Sequence, residues 1–71
     1  MKTPAEIQAQ LDATNLAAKV EKVVHAAAPY DNIYVTGGIG YAGRSLWVTT
    51  TAADTASTQA AAITTAMRAY R

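Results

Sequence analysis

In this 71-residue sequence the strongest candidates for a functional role are aromatic side chains, which lie on two short segments rich in β-branched residues. Tyr34 and Trp47 fall on the same face of their predicted strands, and Tyr41 lies in the glycine-rich segment between them. Tyrosine and tryptophan bury a large area at low entropic cost and keep a polar atom for hydrogen bonding, so they predict non-covalent binding. Three alternatives are open: a homodimer or self-covered sheet, a foreign protein, and stacking on nucleic acid bases.

The segment Gly38-Ile39-Gly40-Tyr41-Ala42-Gly43 matches the pattern G-x-G-x-x-G. A dinucleotide-binding turn of this type opens a helix, whereas the residues that follow from Arg44 have strand character. The pattern also resembles the glycine-rich hairpin that covers nucleotide phosphates in protein kinases, although every other kinase element is missing. We expect the glycines to supply positive φ angles at a hairpin tip, with Ile39 and Tyr41 available to enter a partner's cleft.

No pair of residues predicts acid–base catalysis. His25, the one histidine, is expected near the end of a helix, where the dipole favours positive charge. Glu6 and Asp54 are assigned to helix caps, and Asp12 and Glu21 fall on different sides of a predicted helix. The sequence has no cysteine, and no spacing typical of a metal site. We predict no catalytic residue, no metal and no cofactor.

Two helix-start signatures flank the strand segments. Thr3-Pro4-Ala5-Glu6 and Thr51-Ala52-Ala53-Asp54 each place a hydroxyl three residues before a carboxylate, the pattern of a capping box. They predict one helix over residues 4–28, stopped by Pro29, and a second over residues 52–70.

The apolar pattern of the first predicted helix is inconsistent with a single buried face. Ile7 and Leu11 project nearly opposite to Leu16 and Val20 at 100° per residue. Either the helix bends or restarts near Thr14, or its first half packs against a second surface.

Residues 33–36 and 45–50 predict two strands, because both are rich in β-branched and aromatic residues and alternate with period two. One face is aliphatic, with Ile33, Val35, Leu46 and Val48, and the other carries Tyr34, Thr36, Trp47 and Thr49. The predicted fold is a single α+β domain over residues 1–71, in the order α-β-β-α, with two helices packed on one face of a β-hairpin. The aromatic face is then left uncovered.

Composition limits the partners that are expected. A net charge of +1 supplies no strong field for nucleic acid or an anionic membrane. Seventeen alanines account for much of the apolar content, so the core of one copy is small and self-association is expected, through the hairpin edges or the alanine tracks of the helices. There is no signal-peptide run and no stretch of 18 apolar residues, so a cytoplasmic protein without membrane contact is predicted.

These observations predict a non-enzymatic protein-binding module, acting as a homodimer, that occupies a surface of an unidentified protein. Its predicted partner-binding residues are Tyr34, Trp47, Ile39, Tyr41 and Arg44. In size and lack of catalytic groups the chain is similar to phage or mobile-element inhibitors of host defence complexes, such as anti-CRISPR proteins, though no shared motif supports this. A nucleotide- or nucleic-acid-binding glycine-rich hairpin is the other alternative.

Overall fold

In a computed structural model of the chain, the described residues are 2–14, 18–27, 29–37 and 45–69. They form two helices and one antiparallel sheet of three strands in the order β1-β2-β3. The elements are α1 (Pro4–Asp12), β1 (Ala18–Ala27), β2 (Tyr30–Gly37), β3 (Ser45–Thr51) and α2 (Ala56–Ala69). The predicted α+β class is confirmed, but the sheet has a third strand, so the order is α-β-β-β-α and the two-stranded hairpin is corrected.

Helix α1 begins where the sequence predicts, because the capping box forms. The Thr3 hydroxyl accepts from the Glu6 N–H at 3.3 Å, and the Glu6 carboxylate accepts from the Thr3 N–H at 3.3 Å. The helix ends at Asp12, and the Thr14 hydroxyl then donates to the carbonyl oxygen of Leu11 at 2.6 Å. The predicted helix over residues 4–28 is therefore wrong beyond residue 12.

The extra strand, β1, takes up most of the remainder of that predicted helix. Its ladder with β2 pairs Val20 with Val35 and then Lys22 with Tyr34, so Glu21 is the additional residue of a β-bulge. Because of the bulge, Val20 and Val23 both turn toward the core although they are three residues apart. That spacing is typical of a helix, and it is the physical reason the sequence pattern misleads here.

Helix α2 begins at Ala56 rather than at residue 52. Asp54 accepts a hydrogen bond from the Thr51 N–H at 3.2 Å, as a capping box requires, but this contact closes a turn after β3. The cap of the helix is Thr55, whose hydroxyl accepts from the Thr58 N–H at 3.1 Å.

The core lies between the two helices and one face of the sheet, which we call the inner face. Helix α1 packs against β1 and α2, and α2 packs against β3. The side chains that are completely or almost completely buried there include Ile7, Leu11, Ile33, Val35, Ile63 and Met67. Among the described residues no helix is both long enough and apolar enough to span a bilayer.

Candidate functional site

The opposite face of the sheet, the outer face, carries the predicted aromatic residues. Side chains alternate between the two faces of a strand, so the buried Ile33 and Val35 of β2 leave Tyr34 on the outer side. Trp47 lies directly opposite Tyr34 on β3, and its neighbour Val48 is buried. Neither helix packs on this face.

Tyr34, Trp47 and Lys22 form a contiguous group that we call the aromatic patch. The ring centroids of Tyr34 and Trp47 are 4.9 Å apart, with their planes tilted by 41°. The Lys22 Nζ lies 5.4 Å from the Trp47 ring centroid and 5.8 Å from that of Tyr34, within reach of a cation–π contact. Even so, 51% of Trp47 remains exposed to solvent. The patch thus presents an indole face and an ammonium group together.

An open depression of about 350 Å³ adjoins the patch and is lined by Trp47, Val24 and Asn32. The Thr49 hydroxyl donates to the side-chain oxygen of Asn32 at 2.9 Å, which leaves the amide nitrogen of Asn32 as a donor. The depression therefore combines an apolar wall with hydrogen-bonding groups, the usual composition of a binding surface.

The two lysine side chains of the outer face differ in whether a carboxylate lies beside them. Lys19 lies 3.5 Å from the Glu21 carboxylate, which also accepts from the Thr36 hydroxyl at 3.0 Å. Within the described residues the ammonium of Lys22 has no carboxylate at ion-pair distance. The aromatic patch is consequently the positively charged part of this face.

The structure brings together two of the five residues predicted to bind a partner, Tyr34 and Trp47. The other three, Ile39, Tyr41 and Arg44, lie outside the described residues. Lys22 was missed because the sequence pattern placed it on a helix. Its contact with both rings depends on β1 pairing beside β2, and the Lys22↔Tyr34 register is what aligns them.

A second group, the polar cluster, occupies the inner face and consists of His25, Asp31, Thr50 and Gln59. Asp31 is 1% exposed, and its carboxylate contacts His25 Nδ1 through one oxygen. The other oxygen accepts from Gln59 Nε2 at 3.1 Å. Gln59 Nε2 also donates to the Thr50 hydroxyl at 3.0 Å. The cluster joins all three strands to α2.

Burial alone would raise the pKa of the Asp31 carboxyl, since it disfavours the charged form. Hydrogen bonds from His25 and Gln59, with electrostatic attraction to His25 and Lys2, outweigh burial and hold this pKa below its ordinary value. Asp31 therefore stays ionised inside the fold.

The contact between His25 and Asp31 corrects the sequence-based expectation that no acid–base pair forms. Such a pair can orient an imidazole as a general base, but catalysis also needs a reacting hydroxyl or substrate proton within its reach. The hydroxyl of the cluster belongs to Thr50, which is buried and bonded to Gln59 and to the carbonyl oxygen of Asp31. The geometry is that of a structural network.

No signal in the sequence identified this pair, because His25 was assigned to a helix. The two residues are six apart, on β1 and β2, and they meet across the turn that contains Pro29. Among the described residues there is also no group of three or more histidine, cysteine or acidic side chains that could hold a metal ion.

No protein-family model, curated protein or solved structure matches this chain significantly.

Proposed function

We propose that this chain is a non-enzymatic protein-binding module that contacts its partner through the aromatic patch and the adjoining depression. The observation that carries the proposal is the position of Trp47, half exposed beside Tyr34 on a face that neither helix covers. A half-exposed tryptophan in contact with a neighbouring tyrosine is typical of binding hot spots.

The charges of the outer face indicate what the partner should present. Lys22 holds a positive charge against two aromatic rings without a carboxylate beside it in the described residues. A partner surface with an apolar side chain next to an aspartate or glutamate would cover Trp47 and pair with Lys22 at once. Nucleic acid fits less well, because stacking platforms for single strands are combined with a basic groove, and the net charge of this chain is only +1.

Two alternatives from the sequence analysis are argued from features other than the aromatic patch. The hypothesis of a phage-encoded inhibitor of a host defence complex is based only on the size of the chain and on the lack of catalytic groups in its sequence. The hypothesis of a nucleotide-binding glycine-rich hairpin is based on residues 38–43, which lie outside the described residues.

The test compares three forms of the chain as bait in extracts of its native host: wild type, Trp47→Ala and Thr65→Ala. Thr65 is an exposed residue of α2, away from the outer face, and provides the matched control. A protein captured by wild type and Thr65→Ala should be lost with Trp47→Ala, since a hot-spot truncation costs about 2 kcal/mol or more in binding.

The captured protein is then purified and titrated against each form. We expect Trp47→Ala to weaken binding by a factor of about 30 or more, the equivalent of roughly 2 kcal/mol, and Thr65→Ala to leave it unchanged. Equal binding by wild type and Trp47→Ala would remove the aromatic patch from the interface. Saturable binding of single-stranded oligonucleotides at physiological salt would instead assign the patch to nucleic acid.

A further inference from the structure

The two edges of the sheet differ in how their backbone groups are satisfied. At the β1 edge, the side chain of Gln8 from α1 takes the place of a neighbouring strand. Its Nε2 donates to the carbonyl oxygen of Ala18 at 2.9 Å, and its Oε1 accepts from the Val20 N–H at 2.7 Å. A single carboxamide thus bonds to both backbone groups, as a peptide group of another strand would.

The β1 edge is protected in two further ways. Its pairing with β2 is shifted twice, between Val20 and Lys22 and between Val24 and Ala27. It also carries the charged side chains of Lys19 and Glu21. Bulges and charges of this kind are the features by which natural sheets prevent pairing between edges.

Apart from Thr51 at its end, whose N–H is bonded to Asp54, the β3 edge has none of these features. Its pairing with β2 is regular from Tyr30↔Thr51 to Thr36↔Ser45, with no register shift. The seven residues of β3, Ser-Leu-Trp-Val-Thr-Thr-Thr, include no charge and no proline. An uncharged and regular edge strand is a template for pairing with another strand.

The hydrogen-bond pattern identifies which backbone groups of β3 face the open edge. The Ala52 N–H donates to the carbonyl oxygen of Pro29 at 2.7 Å, one position beyond the Tyr30↔Thr51 pair. In an antiparallel ladder, bonded and non-bonded pairs alternate, so alternate residues direct their N–H and C=O groups away from the partner strand. In β3 the residues that face away from β2 are Ser45, Trp47, Thr49 and Thr51.

One of these four residues is already engaged, because the Thr51 N–H donates to Asp54 at 3.2 Å. Within the described residues, the backbone N–H and C=O groups of Ser45, Trp47 and Thr49 that face the edge have no hydrogen-bond partner. The unpaired stretch is centred on Trp47.

We propose that two copies of this chain pair β3 against β3, antiparallel, about a two-fold axis at Trp47. The pairing joins the two sheets into one sheet of six strands, three from each copy. A second copy fits this edge because its β3 has the same seven residues. The two strands can therefore pair symmetrically about Trp47. Ser45 pairs with Thr49 of the second copy, and Leu46 pairs with its Val48.

The face of each side chain agrees with this register. Leu46 and Val48 both belong to the inner face, and Leu46 is only partly buried within one copy. Val48 of the second copy would cover its exposed side. Ser45 and Thr49 are exposed on the outer face, and the seven residues of β3 bring no charge to the seam between the two β3 strands.

Pairing at this edge also places the two Trp47 side chains next to each other on the outer face. Each would keep its own Tyr34 at 4.9 Å, so the two aromatic patches would merge into one continuous surface. A binding role for the merged surface rests on the proposed function, whereas the pairing of the two β3 strands does not. The merged surface predicts a partner that is itself two-fold symmetric or carries two copies of the recognised segment.

The main test uses proline at position 49. The Thr49 N–H points to the open edge, so Thr49→Pro removes a bond of the seam without removing one from the β2–β3 ladder. Thr49→Ala is the matched control, because both changes delete the bond to Asn32. In sedimentation equilibrium at micromolar concentration, wild type and Thr49→Ala should give twice the chain mass, and Thr49→Pro should give the mass of one chain with its circular dichroism retained. A monomeric wild type, or a dimeric and folded Thr49→Pro, would overturn the proposal.

A cysteine pair gives an answer even if the proline variant does not fold. The chain has no cysteine of its own, so Ser45→Cys/Thr49→Cys introduces the only thiols. Four residues apart on one strand, they are about 13 Å from each other and out of disulfide range, whereas hydrogen-bonded partners across a seam lie about 5.5 Å apart. Oxidation should yield a covalent dimer.

The control for the cysteine pair is Lys19→Cys/Val24→Cys, with two thiols on β1, which should remain monomeric under the same oxidation. Equal cross-linking of the two variants would overturn the β3 seam. Capture of a partner by a monomeric Thr49→Pro chain would leave the protein-binding function intact, so the two proposals fail separately.

Discussion

The inner and outer faces of the sheet are formed by alternate residues of the same strands, yet they differ in what their polar groups contact. On the inner face, Asp31 is buried and bonded to His25 and Gln59. One position further along β2, Asn32 lies at the edge of an open depression on the outer face. The polar groups of the inner face bond to one another, whereas on the outer face the amide nitrogen of Asn32 and the ammonium of Lys22 remain available to another molecule.

The aromatic and aliphatic residues divide in the same way. The fully buried aliphatic side chains of the described residues lie at the inner face, among them Ile33, Val35 and Ile63. The one tryptophan is on the outer face, where half of it remains in water. In a chain with so few large apolar residues, the exposure of its tryptophan supports the proposal that Trp47 contacts a partner.

The largest effect is expected from truncating the inner face. Ile63→Ala removes a fully buried side chain of α2 and should lower the free energy of unfolding by about 2–5 kcal/mol, because it leaves a cavity. A 71-residue domain is stable by only about 4–11 kcal/mol in total. Urea unfolding followed by circular dichroism measures the loss, with the exposed Thr65→Ala as control, expected within about 0.5 kcal/mol of wild type. A loss below that margin for Ile63→Ala would contradict the described core.

A smaller effect, with a defined pH dependence, is expected from the polar cluster. Asp31→Asn removes the charge that His25 and Gln59 contact and should cost about 1–3 kcal/mol at neutral pH. The pKa of Asp31 is lowered by folding, so its ionised form adds stability that is fully present above the ordinary value of 3.8. That stability is lost as the pH falls through the lower pKa of the folded state.

Urea midpoints of wild type and Asp31→Asn, measured from neutral pH into strong acid, check this dependence. The wild-type midpoint should fall more steeply in acid, and the difference between the two proteins should shrink. A difference that stays constant at every pH would show that the charge of Asp31 contributes nothing.

The sequence was sufficient to predict the α1 cap, the β2–β3 pair and the two faces of that pair, because each is visible in the pattern of its own residues. The Thr3–Glu6 capping box is a contact between residues three apart, so the short local sequence is enough to suggest it. The period-two alternation of residues 33–36 and 45–50 likewise assigns Tyr34 and Trp47 to one face without reference to the rest of the chain.

The strand β1 could not be predicted in this way, because its own residues repeat at helical spacing and only its pairing with β2 makes that spacing compatible with a strand. Its helical spacing of valines is produced by the bulge at Glu21, which exists only when β1 pairs with β2. In the sequence, Ile7 and Leu11 project opposite to Leu16 and Val20 on a single helix. This conflict was the one indication that a helix does not extend through residue 20. The positions of Lys22 beside Trp47 and of His25 beside Asp31 both follow from β1, and were missed for the same reason.

The measurement that tests the division between the two faces most directly is the free energy of unfolding of Trp47→Ala. It should be made by urea titration and circular dichroism, at a dilution where wild type and variant both sediment as monomers. Loss of a half-exposed ring from the outer face should cost about 1–2 kcal/mol, from its contact with Tyr34 and the burial of about half of the ring. A loss of about 3 kcal/mol or more, as for a tryptophan in a core, would show that Trp47 supports the fold and is not reserved for a partner.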